Sequence, residues 1–271
     1  MTAFLSSIGG KLAERWAAAV LLPGLLFVVS VLCAALLGHA HALDLGLAQT
    51  RITEFTRGST VSVGVRFATL LLGAATVVLL ARATGRLVQA VWFGRWGGPL
   101  ARALVRLRRR RAVEAAERAG VRPVPEYLPK RPTWIGEQFR LVDAGIAAQY
   151  HGLRLGLVWP RLWILLPESE RAPVQSVNTE FQAAAVVTGW GLLHLVVGLW
   201  WFPAALVGAC VVGTGWVRGR EHTATLSALI EATVDTHLTL LLTALNQPLP
   251  GAGTMTPELA ERVNDQLHKG R

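Results

Sequence analysis

Apolar positions along this chain fall into two kinds of run. Four runs are long and nearly free of charge: residues 16–38 (WAAAVLLPGLLFVVSVLCAALLG), residues 67–81 (FATLLLGAATVVLLA, lengthened at the start by residues 61–66), residues 181–202 and residues 203–217. A helix needs about 20 such residues to cross a hydrocarbon core of roughly 30 Å, so the pattern predicts four transmembrane helices arranged as two hairpins. Arg66 falls near an interface and has the reach to snorkel outward. The third run opens on Thr179-x-x-Gln182, a capping-box pattern that predicts a helix start there. Trp200, Trp201 and Phe202 form an aromatic belt before Pro203, which opens a turn or the fourth helix.

The second kind of run is amphipathic. Leu87, Val88, Val91 and Trp92 recur at helical spacing beside Arg82, Arg86 and Arg95, predicting a basic helix over 83–96 that Gly97-Gly98-Pro99 breaks. Leu100, Leu104 and Leu107 then line up ahead of Arg108, Arg109, Arg110 and Arg111. Residues 120–133 hold four prolines and predict a linker that cannot be helical. Phe139, Val142, Ile146 and Tyr150 predict an amphipathic helix of about four turns. Beyond Arg220, the stripe Leu226, Leu229, Ile230, Val234, Leu238, Leu241 and Leu245 must be buried against the central helix, the membrane surface or a second copy. Thr256 and Pro257 predict the start of a short last helix. Its stripe of Leu259, Val263 and Leu267 is thin enough that ordering on a partner is the expectation.

Charge decides orientation. Residues 82–180 hold 17 basic and 8 acidic side chains, whereas residues 39–66 hold three and two, and the turn near residue 202 holds none. The positive-inside rule therefore places both termini and the central segment in the cytoplasm of a bacterial plasma membrane. An uncharged run of 23 residues exceeds the usual core of a signal peptide, so residues 16–38 read as an uncleaved anchor behind Lys11 and Arg15. The expected organisation is a cytoplasmic N-terminus (1–15), hairpin 1 (16–82, external loop 39–66), a basic amphipathic cytoplasmic segment (83–180), hairpin 2 (181–217), a cytoplasmic helix (218–247), and a linker with a short helix (248–271). Apolar residues make up 52% and charged residues 16%, which fits a membrane protein better than a soluble domain. Cys33 and Cys210 sit inside apolar runs and read as buried, inert thiols.

The stretch LVWPRLWILLP, residues 157–167, is too short to span a bilayer and too apolar for an open loop. Two readings fit it. In one, Trp159 and Trp163 sit at the inner headgroup layer, Arg161 reaches a phosphate, and Pro160 forces an irregular or kinked path. In the other, it is a segment of a cytoplasmic core, with Arg161 paired to Glu168 or Glu170. The elements RPTWIGE (131–137), YHGLRLGLVWPRLW (150–163) and ILLPE resemble a pattern found in uncharacterised bacterial membrane proteins, many of them actinobacterial. Pro132, Thr133, Gly136, Trp159, Pro160, Arg161 and Leu162 match it, with His151 inserted between Tyr150 and Gly152. The resemblance implies a membrane protein and brings no activity, cofactor or catalytic residue.

Catalytic signatures are absent from the sequence: there is no phosphate-binding Walker loop, no His-Glu-x-x-His and no Gly-x-Ser-x-Gly. His39 and His41 lack a third ligand and read as solvated. His194, midway along the third run, has no intramembrane carboxylate to exchange protons with, so it reads as a neutral ring bonded to a neighbouring helix. Glu231, Asp235 and His237 read as a solvated helix face. The run Arg108–Arg111 lacks the interleaved aromatics of a nucleic-acid surface and reads as attraction to anionic lipid headgroups. The chain is thus expected to be a non-enzymatic, cofactor-free and metal-free interaction or assembly protein. Its docking face, for a protein partner or a second copy, is the cytoplasmic helices. The alternative is a homo-oligomeric pore or channel, a gated effector included, whose helices pack closely through small residues such as Gly189, Gly198, Gly208, Gly213 and Gly215.

Overall fold

The computed structural model describes residues 22–57, 60–247 and 254–268. Among them there is no strand, and the helices are α1 (Leu22–Leu37), α2 (Leu45–Thr56), α3 (Thr60–Trp92), α4 (Pro99–Arg118), α5 (Trp134–Gln149), α6 (Leu155–Leu165), α7 (Glu168–Val197), α8 (Phe202–Ala244) and α9 (Pro257–His268). Three of them, α3, α7 and α8, are long and apolar enough to cross a membrane. α1 contributes an apolar helix of 16 residues. Residues 16–21 of the expected first span, together with Lys11 and Arg15, lie outside the described residues.

The long helices do not stop where the sequence pattern suggested. The basic helix expected over 83–96 is the end of α3, which runs unbroken from Thr60 to Trp92. Its four apolar residues do not share one fate: Val88 and Trp92 are 6% and 5% exposed, Leu87 and Val91 67% and 51%. Thr179 is not a cap. It lies inside α7, which begins at Glu168 and carries Pro173 within it, and the Thr179 hydroxyl donates to the Gln175 carbonyl at 2.8 Å. The fourth span and the helix after it form one element, α8, of 43 residues. At 1.5 Å per residue α8 is about 65 Å long, twice the thickness of a hydrocarbon core.

The chain divides into two compact units: the chain up to Val88 with Ala184–Trp216, and Gln89–Ala183 with the chain from Val217 onward. In the first unit, helices meet through glycine. A Cβ on Gly208 in α8 would lie 2.7 Å from the Leu195 amide nitrogen and 2.8 Å from the Gly191 oxygen in α7. One on Gly189 would lie 2.9 Å from the Ala81 oxygen in α3. These positions are glycine because two backbones occupy the space a side chain needs. A small cluster of Phe27, Val197 and Ala204 packs beneath Trp190 and Trp201. His39 Nε2 lies 2.8 Å from the Leu199 oxygen, and Trp201 Nε1 donates to the Ala42 oxygen at 3.0 Å. The turn after α1 and the turn between α7 and α8 are therefore tied at one end of this unit. Elsewhere it exposes large apolar side chains, including Leu26, Leu72, Leu79, Leu206 and Val207, a surface that a water-soluble domain rarely presents. Cys33 is half-buried and Cys210 exposed, so neither is the buried thiol expected.

The second unit is packed like a soluble domain. Val142 and Ile146 of α5, Val158 and Leu162 of α6, Val234, Leu238 and Leu241 of α8, and Leu259, Val263 and Leu267 of α9 share one buried core. Of the three ways to bury the α8 stripe, the structure uses the intramolecular one. The last helix also needs no partner to cover its stripe. Thr256 Oγ1 accepts from the Leu259 amide at 3.3 Å, the cap the sequence predicted. Glu258, bonded to its own backbone amide and to the Thr256 hydroxyl, is held below the usual carboxylate range.

Candidate functional site

The motifs that stood out in the sequence converge on two polar fastenings in the second unit. The first is built by RPTWIGE. Thr133 caps α5 by accepting from the Gly136 amide at 3.1 Å, and its hydroxyl donates to the Trp92 carbonyl at the end of α3. Gly136 lies so close to the Phe93 carbonyl that a Cβ there would overlap it. Opposite, Gly94 holds φ +61°, in the left-handed region that favours glycine. Glu137 is 4% exposed. Its Oε2 accepts from the backbone amides of Lys130 and Arg131 at 2.8 and 2.7 Å, and its Oε1 takes Arg140 Nε at 2.7 Å and Nη2 at 2.6 Å. Arg140 Nη2 also reaches the Glu126 carbonyl at 3.0 Å. One buried carboxylate thus anchors the proline-rich linker onto α5. Phe93, Phe139 and Phe181 form a cluster of tilted and edge-on rings with centroids 5.5 to 6.3 Å apart. The Arg220 guanidinium lies 4.6 Å from the Trp134 ring centroid, in cation–π range.

The second fastening is built by YHGLRLGLVWPRLW. His151 and Gly152 take φ +50° and +92° to turn the chain from α5 into α6. Asn264 of α9 holds that turn from both sides, accepting from the Arg154 amide at 3.1 Å and donating to the Gly152 carbonyl at 3.0 Å. The Tyr150 hydroxyl donates to Asp235 Oδ1 at 2.8 Å, and Gln149 Nε2 reaches the same oxygen at 3.3 Å. Burial, and then the neighbouring Asp235 carboxylate, push the Tyr150 phenol up to about 12.

The expected site residues take definite places. Residues 155–165 are the regular helix α6 with Pro160 inside it, not an irregular path. The proline is tolerated because that side of α6 is exposed and only one backbone bond is lost. Val158 and Leu162 are fully buried, and Trp159 and Trp163 lie half-exposed with ring centroids 5.7 Å apart. Arg161 pairs with neither Glu168 nor Glu170. It donates to the Leu157 carbonyl at 2.7 Å and to the Leu267 carbonyl at 3.1 Å, binding the last turn of α9. Glu168 instead meets Arg171 at 3.1 Å.

Of the four consecutive arginines, Arg109, Arg110 and Arg111 are exposed on α4. Arg108 is half-buried. Burial draws its guanidinium below its ordinary range, and the Glu137 carboxylate opposes that shift. His194 bonds within its own helix, Nδ1 lying 2.9 Å from the Trp190 oxygen. From α1 it receives a ring instead of a hydrogen bond: Phe27 stands edge-on at 5.1 Å. Asp235 is not simply solvated, given its bonds to Tyr150 and Gln149. Among the described residues, no group of three His, Cys, Asp or Glu is arranged to hold a metal.

Glu137, Arg140 and Asn264 carry much of this unit's polar organisation and were not singled out from the sequence. Glu137 and Arg140 offered only an ordinary three-residue helical spacing, and Asn264 offered no local signal. No protein-family model, curated protein or solved structure matches the chain.

Proposed function

We propose that this chain is a membrane-anchored interaction or assembly protein without catalytic activity, whose second unit is a docking module. The observation that carries the reading is the closure of that unit. The C-terminal helix α9 completes a buried core and is bonded to the α5–α6 turn and to α6, while α4 is left with exposed arginines along most of its length. A module that covers the apolar stripes of α5, α6, α8 and α9 and keeps one basic helix free is suited to recognising an acidic protein surface. We assign it four spans with both termini in the cytoplasm, on the distribution of Arg and Lys, and membership of the bacterial membrane-protein group that its motifs resemble.

The pore reading ranks below this one for a structural reason. Gly189, Gly191, Gly198, Gly208 and Gly215 are already occupied by contacts within the chain, and Gly213 alone of the set has open space around it. Photo-crosslinkers at Arg109 and Arg110 in native membranes test the proposal. A saturable adduct with one protein, or with a second copy, is expected; adducts with lipid alone overturn it. Purified protein in liposomes should leave a dye gradient intact.

A further inference from the structure

A cavity of about 430 Å³ opens between the α3–α4 turn, the first turns of α4 and the linker before α5. Its wall holds Arg102, Arg106, Lys130 and Arg131, with Trp96 and Ala101 beside them, and no acidic side chain among the described residues. None of the four cations takes part in an ion pair among the described residues. Arg102 and Arg106 each spend only Nε, on the carbonyls of Gly98 and Arg102 at 3.4 Å, which leaves their Nη groups for a ligand. Lys130 and Arg131 are held by backbone alone, since their amides are the two that Glu137 accepts. That carboxylate therefore positions two cations at the cavity without neutralising it by an ion pair to them. No side chain caps the N-terminus of α4, so the partial positive charge of its first amides adds to the same field.

Four unpaired cations around one concavity call for an anion with several acceptor oxygens. Arginine forks match phosphate in particular. The position in the chain narrows the source. Trp96, fixed by its Nε1 bond to the Val91 carbonyl at 2.9 Å, lies four residues past the end of the apolar helix α3. Tryptophan favours headgroup depth. The neighbouring cavity along α4 has Arg106, Arg109 and Arg110 but also Glu114 in its wall, and is the weaker anion site.

We propose that the Arg102–Arg106–Lys130–Arg131 cavity binds the headgroup phosphate of an anionic lipid as a specific site, beyond the diffuse attraction of the arginine run. The inference rests on the membrane reading, which alkaline carbonate extraction of native membranes tests separately: recovery in the soluble fraction defeats that reading whatever the cavity binds. The cavity itself is tested on the purified full chain in neutral detergent, by titrating short-chain phosphatidylglycerol and following tryptophan fluorescence and melting temperature. Removing two of the four charges, as in Arg102→Gln/Arg106→Gln, should weaken binding roughly thirtyfold. Arg109→Gln/Arg110→Gln, the same charge loss on the same helix, should stay within about threefold. Lys130→Gln gives an independent wall variant, and equal helicity and melting temperature without lipid establish that each variant is folded. Equal weakening by both arginine pairs, or saturation by inorganic phosphate at the concentration that suffices for the lipid, overturns the proposal. So does the absence of binding in the folded wild type.

Discussion

The two units solve the same packing problem with opposite materials. In the unit containing Ala184–Trp216, α7 meets α8 and α3 across Gly191, Gly208 and Gly189, at backbone distance, while leucines and valines point outward. In the other unit, leucines and valines of α5, α6, α8 and α9 point into one shared core, and buried polar groups such as Glu137 fasten the ends. The difference follows from the solvent each arrangement suits. In hydrocarbon, burying a leucine gains little over leaving it against lipid, so close approach, dispersion contacts and small residues hold helices together. In water, the apolar face itself drives association, and each buried polar atom then needs a partner.

The largest expected effect separates the two regimes at Glu137. Removing that carboxylate by Glu137→Ala leaves Arg140 and the two linker amides without their acceptor. It should cost about 3–5 kcal/mol, read as unfolding of the second unit in neutral detergent. A loss below about 1 kcal/mol means the fastening is incidental. Next comes Gly208→Leu, which forces a side chain into the α7 backbone and should cost about 1–3 kcal/mol. Gly213→Leu, on the same helix but facing open space, should be nearly neutral. If the two variants melt alike, contact by small residues is not what holds the first unit.

Asn264→Ala tests whether α9 is latched or merely greasy. Loss of both bonds to the α5–α6 turn should cost about 1 kcal/mol and raise amide exchange in α9 ahead of α8. The smallest effect is at Tyr150. Its phenol titrates near 12 in the folded chain, against about 10 when unfolded, so folding favours the protonated form. That contribution is fully present below about pH 10 and is lost as pH rises toward 12. Wild-type stability should fall more steeply over that window than that of Tyr150→Phe, as followed by circular dichroism.

Some of this architecture is legible in the chain itself. Long uncharged runs predict long apolar helices because hydrophobic length is a local property, and α3, α7 and α8 answer to it. Gly98-Pro99 starts α4 because Pro99 suits the first helical turn and Gly98 takes φ +105°, but it does not end α3, which stops at Trp92 just before the left-handed Gly94. Thr256 is local chemistry too, and so is the four-proline linker, although it was expected to hold no helix and Pro125–Tyr127 form a single 3-10 turn.

Where helices end is less local. Thr179 carries a good capping pattern, yet α7 runs through it, because the first turn was formed eleven residues earlier and propagation costs less than a new start. The stretch at 157–167 had two readings, since Trp and Leu suit an interface and a core equally well. Only the approach of α5, α8 and α9 buries Val158 and Leu162, and only the end of α9 supplies the carbonyl that Arg161 binds. The same holds for Glu137, whose partners lie six and seven residues back, and for Asn264, whose partners lie more than a hundred residues away. By itself the sequence determined which stretches are apolar and where the long helices lie, because both depend on a residue and its near neighbours. It missed α2, inside the expected loop 39–66, and the regular helix α6. The tertiary structure decided which apolar faces are covered and which cations stay unpaired, because those depend on groups that no reading of near neighbours can bring together.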